Sequence, residues 1–129
     1  MDTNGSIFTE AFVSGDDIVL PFQFYQPDNV TPKPMTGFVV GMTVKATLED
    51  SNGNPIPDSQ ALFEKDLAGD NTGLFTFTIP GSKAGLVTFV PGTYFLDLKQ
   101  WDSTNKRSTV LTTTLPITES VTLRTVPAP

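Results

Sequence analysis

The side chains with chemistry open to them are carboxylates, amides and aromatics, because the 129-residue chain has no cysteine and no histidine. That removes Ser-His-Asp and Cys-His catalysis, thiolate and imidazole metal sites, and disulfide staples. Asp16-Asp17 is an adjacent carboxylate pair. General acid–base work needs one acid desolvated near the other, yet neighbours on an extended chain point to opposite faces, so the pair reads as the solvated start of a strand after Gly15. Asp50-x-Asn52-x-Asn54 has the opening spacing of a calcium loop, but Pro55 stands where that loop turns on Gly and Ala61 where it needs a bidentate Glu, which leaves a hairpin turn. Asp66-x-x-x-Asp70-Asn71 offers too few oxygens for a cation that takes about six to eight. A carboxylate hydrolase would need two acids about 5 to 10 Å apart across one cleft, with Asp16 and Asp97 the acids to test. No catalytic, cofactor-binding or metal-ligating residue is assigned.

Aromatic residues point to binding instead. Trp101 ends the run that begins at Tyr94, in phase with Phe95, Asp97 and Lys99 on one face. An exposed aromatic ring stacks on sugars or anchors a protein partner. Trp101 and Tyr25, with Lys99 and Arg107 as polar rim and Lys106 close by, are therefore the candidate partner or glycan contacts, beside the plainer reading of rim packing. Most of the ten Phe fall on apolar strand faces and belong to the core. Tyr94, just after Pro91-Gly92-Thr93, suits the corner tyrosine that ties a loop back to the backbone in sandwich domains.

The elements that must position these residues are strands. Nineteen Thr, eleven Val and ten Phe suit a pleated, half-buried surface, and Ala and Leu are too few for a helical core. Met42 to Glu49 alternates strictly between apolar and polar, the signature of one face in and one face out. Asp17 to Gln26, Phe75 to Ile79 and Tyr94 to Lys99 repeat the pattern; Ile7 to Val13 is a weaker first strand, and Ser108 to Leu115 and Ser120 to Val126 close the series. Turn chemistry separates them at Asp50 to Pro55, which contains Asn52-Gly53, at Gly69 to Gly73, and at Asp102 to Lys106. Three prolines in Gln26 to Pro34 predict an extended surface loop. The one helical signal, Ser82 to Leu86, is too short to matter architecturally. About seven or eight short strands without crossover helices predict an all-β antiparallel sandwich. It forms a single domain over residues 1–129, with a short N-terminal arm and a Pro-rich C-terminal tail.

Charge narrows the partners. Eight Lys and Arg against fourteen Asp and Glu give a net charge of −6. So few dispersed cations cannot build the counterion-releasing patch on which nucleic-acid affinity depends, so no nucleic-acid partner is expected. The longest apolar run, Gly37 to Met42, is far short of the roughly 20 residues that span a bilayer, and Met1 to Gly5 lacks a charged n-region and an apolar h-region. A soluble protein without a secretory signal, opening as a whole gene product, is the expectation.

The order of segments resembles a known family. Gly15-Asp16-Asp17 opens a strand, a Pro-rich connection follows, and Met35-Thr36-Gly37 precedes the strand from Met42 to Leu48. Gly73-Leu74-Phe75-Thr76-Phe77-Thr78-Ile79-Pro80 and Pro91-Gly92-Thr93-Tyr94-Phe95-Leu96-Asp97-Leu98-Lys99 come next. This series is similar to the small immunoglobulin-like domains of tailed-bacteriophage virions, above all the N-terminal domain of baseplate upper proteins. The likeness runs from residue 15 to 125, with Ser108 to Leu115 and Ser120 to Arg124 in the family's last two strand positions. Family hairpins carry Gly between those strands where this chain has Pro116, and the baseplate proteins continue into further domains.

The resemblance implies an immunoglobulin-like sandwich. It also implies a non-enzymatic virion structural role in tail, baseplate or neck. Its partners would be other virion proteins and further copies of itself, on the outer surface of a particle made in the host cytoplasm. Capsid decoration and a carbohydrate-binding host-adhesion module are the alternatives.

Overall fold

Alternating side chains give each of these segments one face that must leave water, and two sheets stacked face to face satisfy that demand. The computed structural model describes residues 7–8, 10–81 and 90–119. Its strands are β1 (Phe12–Val13), β2 (Ile18–Gln23), β3 (Val39–Lys45), β4 (Phe63–Ala68), β5 (Leu74–Ile79), β6 (Gly92–Trp101) and β7 (Arg107–Thr118). A five-stranded sheet runs β1-β7-β6-β3-β4, and β2 and β5 form a second sheet of two strands. All pairings are antiparallel except β1 with β7. In immunoglobulin terms β3, β6 and β7 take the C, F and G positions, β4 takes C′, and β2 and β5 take B and E. The chain is an all-β, immunoglobulin-like sandwich of seven strands among the described residues.

The core lies between the sheets. Ile18 and Leu20 from β2 and Phe75, Phe77 and Ile79 from β5 face Val40, Met42 and Val44 from β3 and Tyr94, Leu96 and Leu98 from β6. Leu115 and Ile117 of β7 and Met35 close it. Phe22 and Phe24 add edge-to-face contacts, at 6.1 Å to Phe77 and 5.3 Å to Phe75 between ring centroids. Tyr94 is buried, and its hydroxyl donates to the Val90 carbonyl at 2.6 Å, which is the expected corner tyrosine. Burial pushes ionisation of this phenol up, which keeps the donor protonated.

Four sequence expectations need correction. The alternation through Glu49 predicts a longer β3, but the strand stops at Lys45, because β4 begins to pair opposite Val44 and neither β4 nor β6 pairs with the residues beyond Lys45. Instead, Ala46 to Ile56 makes a separate excursion closed by the Asp50–Asn54 turn and a Glu49–Pro55 bridge. The first strand shrinks to Phe12–Val13. Pro116 is no turn: β7 runs unbroken through it, with Pro116 opposite Thr93 and buried. The Pro-rich segment is not extended either; it doubles back, with Gln26 donating to the Thr31 carbonyl and a bridge between Tyr25 and Pro32. Ser82 to Leu86 and Ser120 to Val126, together with the tail and most of the N-terminal arm, lie outside the described residues.

Aspartates organise the turns. Asp28 accepts from Thr31, Asp70 from Thr72, and Asp102 from Thr104 and Lys106, and in each case the threonine hydroxyl joins its own backbone amide. These bonds, the hydroxyl's first, hold all three carboxyls below the usual carboxylate value. Gly73 completes the β4–β5 turn at φ 68°, where a side chain would also strike the Lys33 carbonyl.

Two outcomes follow from these contacts. Tyr94→Phe removes one buried hydroxyl bond while keeping the ring, and is expected to lower unfolding free energy by about 0.5 to 1.5 kcal/mol in urea titrations. For the depressed aspartates, stability is fully present above their unfolded value of 3.8 and is lost as pH falls below it. The urea midpoint should therefore decline in that acid range, and a variant with all three changed to Asn should decline less.

Candidate functional site

The outward face of the five-stranded sheet carries the residues that the sequence singled out. Cross-strand register sets them in rows: Asp66, Gly41, Lys99 and Thr109 in one, Glu64, Thr43, Asp97 and Thr112 in the next. Trp101 stands beside Val39 and Arg107, and Phe95 beside Lys45 and Thr114. Together these rows wall a groove of about 370 Å³. That volume falls in the range of roughly 300 to 1,000 Å³ typical of ligand sites.

Gly41 explains the groove's depth. A β-carbon at this mid-strand position would strike the Asp66 carboxylate and come within 2.9 Å of the Trp101 ring. Without one, the indole settles over the backbone of β3 and stays half-buried. Glycine weakens a strand interior, so its place here is the cost of that close approach.

A slip in register delivers Arg107. Between Leu98 and Lys99 the β6–β7 pairing shifts by one residue, so Lys99 faces Thr109 in place of Val110. A one-residue slip moves every later side chain to the opposite face. Arg107 and Thr109, in phase with the core residues Thr113 and Leu115, thereby reach the groove side.

Two ion pairs lie in the groove. Lys99 lies 3.6 Å from Asp97 and donates to the Thr109 hydroxyl at 2.5 Å. Lys45 binds Asp58 at 2.9 Å and the Ile56 carbonyl at 2.7 Å, which fastens the excursion after β3 to the groove's far end. Exposed pairs of this kind contribute little to stability, about 0 to 1 kcal/mol, so their arrangement matters more as a pattern of donors and acceptors.

Trp101, Lys99 and Arg107 therefore come together, with Asp97 and Phe95 as their shared phase required. Tyr25 does not. It is 49% exposed at the start of the Pro-rich hairpin beyond β2 and does not line the groove. Lys106 lies in the β6–β7 turn, where its backbone amide donates to Asp102, and does not line the groove. The sequence reading misses Glu64 and weighs Asp66 only with Asp70 in a loop, because β4, with Glu-Lys-Asp in its middle, does not look like a buried strand. It is an edge strand, and charges there are the usual guard against unwanted pairing.

Of the acids weighed for chemistry, Asp97 and Asp66 line the groove and three others serve local turns and contacts. Asp17 accepts the Gly81 amide at 2.7 Å, Asp50 accepts the Asn52 and Asn54 amides, and Asp70 serves its own turn. Asp66 faces the groove while Asp70 lies in the turn after β4, and no metal-holding group of three or more acids occurs among the described residues.

No protein-family model matches the chain, and no curated protein matches it. Among solved structures it is similar to the crystal structure of the PmoD soluble domain from Methylocystis sp. ATCC 49242 (Rockwell). The two are 9% identical, with 86% of this chain and 79% of that one covered at a TM-score of 0.48.

Gly41→Ala tests the close approach. It is expected to lower stability by about 1 to 3 kcal/mol, as overpacking does. The fluorescence of Trp101, the chain's one tryptophan, should shift to longer wavelength as the ring is pushed toward water.

Proposed function

We propose that the chain is a non-enzymatic bacteriophage virion structural protein, a tail, baseplate or neck component that assembles through its immunoglobulin-like domain. The observation that carries the assembly reading is the outer face of the β2–β5 sheet. Its cross-strand pairs are Val19 with Thr78, Pro21 with Thr76 and Gln23 with Leu74, without a charge among them. Val19 is 53% exposed and Leu74 47%. Depletion of charge is the compositional mark of an interface centre, and Pro21 hinders strand addition at the β2 edge, so on that side contact through the face is favoured.

The segment order and the immunoglobulin-like topology support the virion assignment, and the negative charge suits an outer surface away from the packaged genome. Capsid decoration would use the same face and differs only in where the particle carries it. Its partners are other virion proteins or further copies of the chain.

Mass spectrometry and electron microscopy of tailed particles from the source of this chain decide the matter. The protein is expected in purified particles at a fixed copy number, placed on the exterior. Val19→Lys together with Leu74→Lys should abolish incorporation while the isolated domain stays folded. Absence from particles, or incorporation unchanged by both lysines, overturns the proposal.

A further inference from the structure

We infer that the groove over Gly41 is a binding site for a neutral carbohydrate, a pyranoside whose apolar ring face lies on Trp101 and whose hydroxyls bond to Asp97 and Lys99. Three features of the groove select that chemistry. First, a partly exposed indole that packs against Gly41 and lines the groove presents apolar ring surface with a negative π face. Such a surface suits the C–H face of a sugar ring. Second, the polar groups beside it are a carboxylate and an ammonium 3.6 Å apart. Vicinal hydroxyls both donate and accept, so a diol can satisfy acceptor and donor together, with charge-assisted bonds that are stronger than neutral ones.

Third, the groove carries both signs of charge. Glu64, Asp66 and Asp97 line it together with Lys99 and Arg107, so an anion meets carboxylates there and a cation meets positive groups. A neutral polyol meets only partners. The rigid sheet supplies the positions in advance, which lowers the entropy cost of binding.

This inference stands apart from the virion reading. Sugar binding by a chain absent from particles would sink that reading alone, and particle incorporation without sugar binding would sink this one alone.

Because Trp101 is the chain's one tryptophan, its emission reports on the groove directly. Cellobiose, maltose, lactose and N,N′-diacetylchitobiose are titrated against the intact chain, with sialyllactose as the charged comparison. At least one neutral disaccharide is expected to shift the emission saturably in the millimolar range, and sialyllactose to bind more weakly than lactose. Asp97→Asn, or Lys99→Gln where the first loses its strand circular dichroism, should weaken binding about tenfold, the scale of one bond to a charged group. Trp101→Phe, followed by saturation-transfer NMR, should weaken it at least as much. The proposal fails if no neutral disaccharide saturates, if the folded variants bind like the parent, or if sialyllactose binds more tightly than lactose.

Discussion

Phe75 and Phe77 stand between two sheets of very unequal size, and the smaller sheet exists because of them. A two-stranded ribbon such as β2–β5 is marginal in water on its own. Its six backbone-paired positions cannot hold it, since each hydrogen bond adds only about 0.5 to 1.5 kcal/mol net. Full burial of a large apolar side chain is worth about 1.5 to 3 kcal/mol. Ile18, Leu20, Phe75, Phe77 and Ile79 together therefore outweigh the ladder, and the β2–β5 ribbon persists as a lid on β3, β6 and β7. The Tyr94 corner and the aspartate turns then fix how the chain passes between layers, at lower cost and with less at stake.

That division of labour leaves both outer faces free of duty to the core. The face of the small sheet became uncharged, with Val19, Pro21 and Leu74; the face of the large one became a groove of mixed charge beside an indole. One sandwich thus presents two surfaces of opposite character, one that tolerates dry contact and one that keeps polar groups within reach of water. Both are consequences of period-two alternation, since the residues between core positions have to point away from it.

What was legible in the residues was whatever alternation governs alone. β2, β5 and β6 follow their pattern, and the face holding Phe95, Asp97, Lys99 and Trp101 could be read from spacing within one strand. Pairing between strands was another matter. The end of β3 at Lys45 depends on where β4 begins, and β4 itself hides behind the charges that protect an edge. Pro116 looks like a break because proline lacks a ladder donor, yet the parallel partner β1 joins β7 only at Ile117, so little pairing was there to lose. Tyr25 was grouped with Trp101 by residue type, and topology separates them.

Arg107 shows the same limit most sharply. By phase it belongs with Thr113 and Leu115 inside the sandwich, and an arginine there would be a buried, unpaired charge costing several kcal/mol. The bulge at Lys99 resolves the conflict by inserting Val110 as an extra residue, which sends Arg107 outward beside Trp101. Such an insertion disrupts the ladder locally, and a strand of twelve residues could have kept in step by placing its charge one position earlier. The chain instead keeps a strand-long Thr-rich run in register with the core at one end and the groove at the other. The bulge is therefore best understood as a joint between two demands that this sequence places on one strand, core phase from Leu111 onward and groove phase up to Thr109.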